Sequence, residues 1–161
     1  FITGYRAEAE KHHCTMRTRV LELNVQTADA HVAAALGLSE KEKVTRLTRL
    51  RHLEGTSNEA PVLYTTVFVP HSLFPDMETL DFTDLSFYDI LAQRNMDVRR
   101  AVRRLEVMMP PSEVSAALGI TPFEPCVFIS STGYTASGAA IEYAESYYPA
   151  SSSSFLIEVN R

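Results

Sequence analysis

Arg49 and Arg51 stand two residues apart in "RLTRLRHL", residues 46–53. On a β-strand that spacing puts both guanidinium groups on one face with Leu47 and Leu53, while Arg46, Thr48, Leu50 and His52 take the other. Two planar donor forks side by side suit a phosphate or a carboxylate. They suit the chain's own acids equally well, with Glu54, Glu59 and Glu106 as candidates. Burial decides between these readings, because an arginine buried without an acidic partner carries a large desolvation cost that a bound anion would remove.

Two further groups have the right chemistry. Ser86 and Tyr88 open the helical stretch "SFYDILAQ". A helix start presents free N–H groups and a partial positive charge, so hydroxyls there are placed for an oxyanion. The alternative is that Asp84 or Ser86 caps the helix and Tyr88 packs beside Phe87, Ile90 and Leu91. Glu142, Tyr147 and Tyr148 lie together on a strand-like run, where a carboxylate accepts and a tyrosine both donates and accepts, a combination that recognises hydroxyls. A solvated glutamate and core aromatics are the other reading.

Catalytic patterns are missing. No GxSxG elbow, HExxH, Walker A loop or GxGxxG occurs, so no catalytic residue and no cofactor is expected. His12, His13 and Cys14 are consecutive, and adjacent residues rarely converge on one ion, so a solvated segment is expected there and no metal site. Cys14 and Cys126 are the only cysteines and form no CxxC, which removes a zinc ribbon or disulfide framework.

The elements that must position these groups follow from pattern. A length of 161 residues with 45% apolar content and a mean hydropathy of -0.07 predicts one globular domain with a real core. Apolar runs fall far short of the roughly 20 residues of a membrane span, and no leader pattern is present, so a cytoplasmic protein is expected. A net charge of -5 argues against a nucleic-acid grip by this chain alone. Its one basic run, "VRRAVRRLEV" at 98–107, is expected to be a solvated face. Val98, Ala101, Val102, Leu105 and Met109 follow a helical period there. The first residue is Phe, so the chain is expected to be a fragment.

"VAAALGLSEKEKV" from Val32 and "VSAALGITPFEPC" from Val114 match, 82 positions apart. Each is an Ala-rich helix stopped by a glycine suited to the left-handed position, at Gly37 and Gly119. The first leads into 44–53, a turn at 55–59 and the run 61–70. The second leads into 126–135, a turn at 136–138 and the run 140–149. Helix, strand, hairpin, strand, twice over, predicts a pseudo-duplicated α+β domain with a mostly antiparallel sheet. "TRVLELNV" from Thr18 adds an opening strand, and alternating Phe155, Ile157 and Val159 predict a terminal one.

"HVAAALGLSEKEKVTRLTRLRHLEG", the strand from Pro61 to Pro70, "LFP" at 73–75, "SFYDIL" at 86–91, "VSAALGI" at 114–120 and "GAAIEYAESYY" at 138–148 occur in this order. Together they resemble the UTRA effector-binding domain of the HutC subfamily of GntR-type bacterial transcription regulators, over the whole of 1–161. The resemblance implies a chorismate-lyase-like fold, usually a homodimer, whose N-terminal winged helix-turn-helix lies outside this chain and makes any DNA contact. It implies a strand, not a helix, at 98–109. It also implies a small-molecule effector, a phosphosugar or related organic anion: Arg49, Arg51, Ser86 and Tyr88 on the phosphate, Glu142 and Tyr148 on the sugar. Two positions depart from the family pattern. Gly4 stands where a phosphate-binding serine is common, leaving only backbone to serve, and Thr65 replaces an acid, which bears on the sugar's identity. An enzyme of the chorismate-lyase type, or a dimerisation module with a vestigial pocket, are the alternatives.

Overall fold

The computed structural model describes residues 15–54 and 60–161. Six strands form one antiparallel sheet: β1 (Thr15–Thr27), β2 (Lys43–Glu54), β3 (Pro61–Pro70), β4 (Arg100–Met108), β5 (Cys126–Tyr134) and β6 (Ala140–Pro149). Their spatial order is β1-β2-β3-β6-β5-β4, so both hairpin pairs are neighbours and β3 meets β6 at the centre. Among the described residues three α-helices accompany the sheet: α1 (Ala30–Leu36), α2 (Phe87–Gln93) and α3 (Ser112–Leu118).

α1 and α3 cover one face of the sheet. Each runs seven residues before a glycine with positive φ, 66° at Gly37 and 67° at Gly119, a conformation that side-chain-bearing residues resist. Val32, Ala33 and Leu36 of α1 pack on Val44 and Phe68, and Val114 and Leu118 of α3 pack on Leu50 and Cys126. The long connection from β3 to β4 covers the opposite face. Its 3₁₀ turn (Met77–Thr79) and α2 set Phe74, Met77, Phe82, Phe87 and Leu91 over Leu47, Val67, Val69 and Ile141. β2 is therefore enclosed on both sides, and its residues from 44 to 50 are buried except Arg46.

One conflict is resolved and one expectation is corrected. Residues 98–109 follow a helical period, yet Arg100 to Met108 form the edge strand β4, as the family resemblance implies, paired in register with β5 from Tyr134 to Cys126. The long-range ladder overrides local periodicity, and nothing but β5 packs a continuous side of the segment. The terminal stretch is no strand in this chain: a 3₁₀ turn (Ala150–Ser152) follows β6, and 153–161 carry no ladder. β6 is already flanked by β3 and β5, which leaves the stretch no neighbour beside it. The turn at 55–59 lies outside the described residues.

Leu91 is fully buried beneath α2. Leu91→Ala is expected to cost about 2–5 kcal/mol, read as a lowered urea midpoint. A loss under about 0.5 kcal/mol, the scale of ordinary surface substitutions, would show that α2 does not depend on this contact.

Candidate functional site

Alternation along β2 holds as the spacing predicts. Leu47 joins the cluster under α2, and Arg49 and Arg51 follow it on that face; Arg46 takes the other, where its guanidinium meets Glu22 at 3.2 Å and lies 6.0 Å from the Phe68 ring centre. Arg46 thus has its own acid. Arg49 does not: it is 5% exposed, makes no ion pair among the described residues, and its Nε is buried without a hydrogen-bond partner. Burial, reinforced by the neighbouring Arg51 charge and opposed by Tyr88, pushes its pKa down from the ordinary guanidinium value to about 9. The group stays cationic at neutral pH and bears the full cost of desolvation. Arg51 is half-buried and places Nη1 3.8 Å from Met16 Sδ. Together with Met16, Thr18, Thr83, Asp84 and Leu85 it lines a small cleft between the β1–β2 pair and the segment entering α2.

The cleft leads to Ser86, which occupies the N-cap position of α2 with extended backbone but gives no side-chain cap bond. The capping reading of Ser86 is therefore not met, and its hydroxyl is not engaged with the helix. Tyr88, two residues beyond Ser86, is half-buried over the same sheet face and donates its hydroxyl to Glu142 Oε1 at 3.4 Å. Burial first, then the Glu142 charge, drives its pKa well above the ordinary tyrosine value.

Glu142 is fully buried, and its Oε2 has no partner. Desolvation raises its pKa from 4.5 to about 7, against the opposing pull of the Tyr88 hydrogen bond and the Arg103 charge. The pairing of β5 with β6 shifts register between Gly133 and Tyr134. Ile141 and Glu142 both reach the α2 side beside that irregularity. Gly133 makes room: a Cβ there would stand 2.5 Å from Glu142 Oε1 and 3.0 Å from Val98 Cγ1. Thr65 is the direct cross-strand partner of Arg49, and its Oγ1 lies 2.9 Å from Ser146 Oγ on β6. Tyr148, two residues further along the same face of β6, meets Phe155 edge-on at 5.0 Å. Gly4 lies outside the described residues, as do His12, His13 and Cys14.

One sheet face under α2 thus gathers Arg49, Arg51, Thr65, Tyr88 and Glu142, with Ser86 at the start of α2 and Tyr148 next beyond Ser146 on β6. Three contributors were not anticipated. Ser146 shares the alternation of Glu142 and Tyr148 and was legible on that ground. Arg103 reaches Ser131 at 3.4 Å from the edge strand and acts electrostatically on Tyr88 and Glu142; the helical reading of its segment hid its face. Gly133 leaves no polar signature in the sequence.

An antiparallel sheet roofed on one side by a short helix, over a small cleft lined by Arg51 and Asp84, is the frame of a small-molecule-binding domain. The model of the UTRA domain matches residues 11–153, and the chain belongs to this family, the effector-binding domains of GntR/HutC-type regulators rather than enzymes. The mannosyl-D-glycerate transport/metabolism system repressor MngR of Escherichia coli (strain K12) is 22% identical over 147 residues, which are 91% of this chain and 60% of that protein's length. The fold is shared with PhnF from Mycobacterium smegmatis at a TM-score of 0.91 and 21% identity, over 99% of this chain and 69% of that one. The C-terminal domain of the histidine utilization repressor from Pseudomonas syringae pv. tomato str. DC3000 matches at 0.81 and 21%, over 91% of this chain and 99% of its own.

Glu142 gives a pH test. Its folded pKa of about 7 exceeds the ordinary 4.5, so the folded chain holds a proton that the unfolded chain releases between those values, and stability falls as pH rises through that window. The loss is on the order of 3 kcal/mol once pH exceeds 7. Glu142→Gln should remove this slope, so that its stability relative to the wild type improves from pH 4.5 to pH 7 in urea titrations. Parallel pH profiles for the two proteins would show that Glu142 titrates normally.

Proposed function

We propose that this domain senses a small phosphorylated sugar or a related organic anion and thereby alters operator binding by a transcription regulator of which it is part. The observation that carries the reading is Arg49, a buried cation with no acid of its own among the described residues. An anion entering by the Arg51 cleft supplies the missing charge. Arg49 and Arg51 take its phosphate, Ser86 and Tyr88 close on it from α2, and the backbone at Gly4 adds a contact. Glu142, Tyr148 and Thr65 meet the hydroxyl-bearing end. Thr65 there is neutral and already engaged with Ser146, so a ligand drawing on a second carboxylate at that position is disfavoured.

Magnitudes are adequate. Charge-assisted hydrogen bonds contribute roughly 1.5–3 kcal/mol each, so a few approach the ~8 kcal/mol of a micromolar complex. Near-complete switching requires about 5.5 kcal/mol of difference between the two states, so the effector must favour one arrangement of the regulator over the other. DNA contact belongs to an N-terminal winged helix-turn-helix outside this chain, in a cytoplasmic homodimer. Among the described residues no helix is long and apolar enough to cross a membrane. The mirrored strand order and the two glycine-stopped helices support reading the domain as a duplicated unit.

Phosphosugars should raise the melting temperature in a thermal-shift panel while their dephosphorylated forms do not. Arg49→Met, combined with Arg51→Ala, should abolish the shift without lowering the ligand-free melting temperature, because the buried charge is gone. Arg46→Ala should leave the shift unchanged. Equal shifts for both ligand classes, or a shift that survives the double substitution, would overturn the reading.

A further inference from the structure

Arg103 shares a sheet face with Arg49 and Arg51, and the effector reading gives it no task. Along one row of cross-strand partners Arg103 faces Ser131, Ser131 faces Ala144, and Ala144 leads through Val67 to Leu47. Val67 and Leu47 lie in the cluster under α2. The arginine side chain turns inward from the sheet edge: its Nε donates to Ser131 Oγ at 3.4 Å, and its guanidinium is hydrogen-bonded to the Tyr88 hydroxyl. Arg103 makes no ion pair among the described residues. Its neighbours on that face of β4 and β5, Ala101, Leu105, Ile129 and Gly133, are uncharged. Arg104 takes the opposite face, where Glu106 shares its alternation.

Guanidinium groups thus converge on Tyr88 from two sides. Four strand spacings separate β2 from β4, about 19 Å between backbones. Between them Tyr88 acts on the Arg49 charge at one end and is bonded to Arg103 at the other. The corner at Arg103 is rich in donors. A guanidinium gives hydrogen bonds and accepts none, and Ser131, which already accepts from Arg103, keeps its own proton to give. Glu142 Oε2 is buried without a partner, and desolvation favours the protonated carboxyl, which donates as well. Donors around an uncompensated cation suit an anionic acceptor, and the two oxygens of a carboxylate match the guanidinium fork. A neutral hydroxymethyl group leaves that charge unanswered, and an ammonium group is repelled by it.

We propose that Arg103 is a specificity-determining residue that takes a carboxylate at the end of the effector opposite its phosphate, so that the domain recognises a phosphorylated sugar acid. This rests on the phosphorylated-effector reading and adds the chemistry of the ligand's other end. The phosphate stays with Arg49 and Arg51, the sugar chain passes under Tyr88, and the acid group reaches Arg103, Ser131 and Glu142.

Isothermal titration calorimetry of the full chain tests it with matched ligands. Terminally phosphorylated gluconate and sorbitol share one open carbon chain and differ only at the end opposite the phosphate, carboxylate in the first and hydroxymethyl in the second. Unphosphorylated gluconate is the third probe. The wild type should bind phosphogluconate about tenfold more tightly than sorbitol phosphate, the scale of one charge-assisted hydrogen bond, and gluconate far more weakly than either. Arg103→Gln should bring the two phosphates within about twofold of each other, and Arg104→Gln should keep the preference. Both positions are exposed, and unchanged melting temperatures of the unliganded variants separate lost recognition from lost folding. Equal binding of the two phosphates by the wild type overturns the role of Arg103 and leaves the phosphorylated-effector reading standing. A preference for phosphogluconate that survives Arg103→Gln also overturns that role. Gluconate bound as tightly as phosphogluconate, or binding of none of the three, overturns the phosphate reading and this inference with it.

Discussion

A guanidinium in the interior of a sheet needs something to take the place of water, and Arg49 has been given very little. β2 lies between β1 and β3 with helices α1 and α3 on one side and α2 on the other, so the side chain cannot reach solvent by bending away. Arg51, on the same face, adds repulsion. The nearest compensating groups are Tyr88, which stays protonated, and through it Glu142, whose own charge is weakened by burial. Each group in this chain of contacts is set against its solution preference, and the apolar cluster of Leu47, Val67, Phe74, Phe82, Phe87 and Leu91 must hold the arrangement closed. Since whole-domain stability is only ~5–15 kcal/mol, such a centre persists because packing around it is dense. An anionic ligand bound there stabilises the folded state by mass action.

Arg46 shows that environment, not residue type, makes the difference. Three positions away on the same strand, it faces the helix side, pairs with Glu22 and lies over Phe68. The same face carries a buried Thr48–Thr66 hydroxyl pair at 2.8 Å. On that side the arginine has an acid within the chain, whereas Arg49 under α2 makes no ion pair among the described residues. The contrast between an arginine with its own acid and one without is what singles out the α2 face.

Much of this was legible because it depends on short-range rules. Period-two alternation separated Arg49 and Arg51 from Arg46, the left-handed glycines ended α1 and α3 at Gly37 and Gly119, and hairpin turns fixed the antiparallel pairing within each half. Failures came where the deciding partner is distant in sequence. The 98–109 segment has a helical period and becomes a strand because β5 needs a neighbour; with that error went the facing of Arg103. Residues 153–159 alternate like a strand but have no ladder to join within the chain. Gly133 is read as space for Glu142 only once β5 and β6 are aligned, and the local irregularity that brings Ile141 and Glu142 to one side breaks simple alternation.

The cover over the site is itself a coupled unit. Arg94 at the end of α2 holds both carboxylate oxygens of Asp76 at 2.8 Å and stacks over Phe74 at 4.2 Å, so the helix and the turn before Met77 are tied through a bidentate pair and a ring. Further on, Val98 packs into the same cluster and borders Gly133, just before the chain enters β4. A ligand held by Ser86 and Tyr88, as proposed, would act on a stretch that begins at the end of β3 and ends at the sheet edge. Only contacts that differ between two placements of this stretch can bias one over the other. Contacts to Arg49 and Arg51 alone, fixed on β2, would hold a ligand without moving anything; in the proposed binding mode, the pairing of fixed arginines with a roof that carries its own hydroxyls would let binding energy become a change of shape.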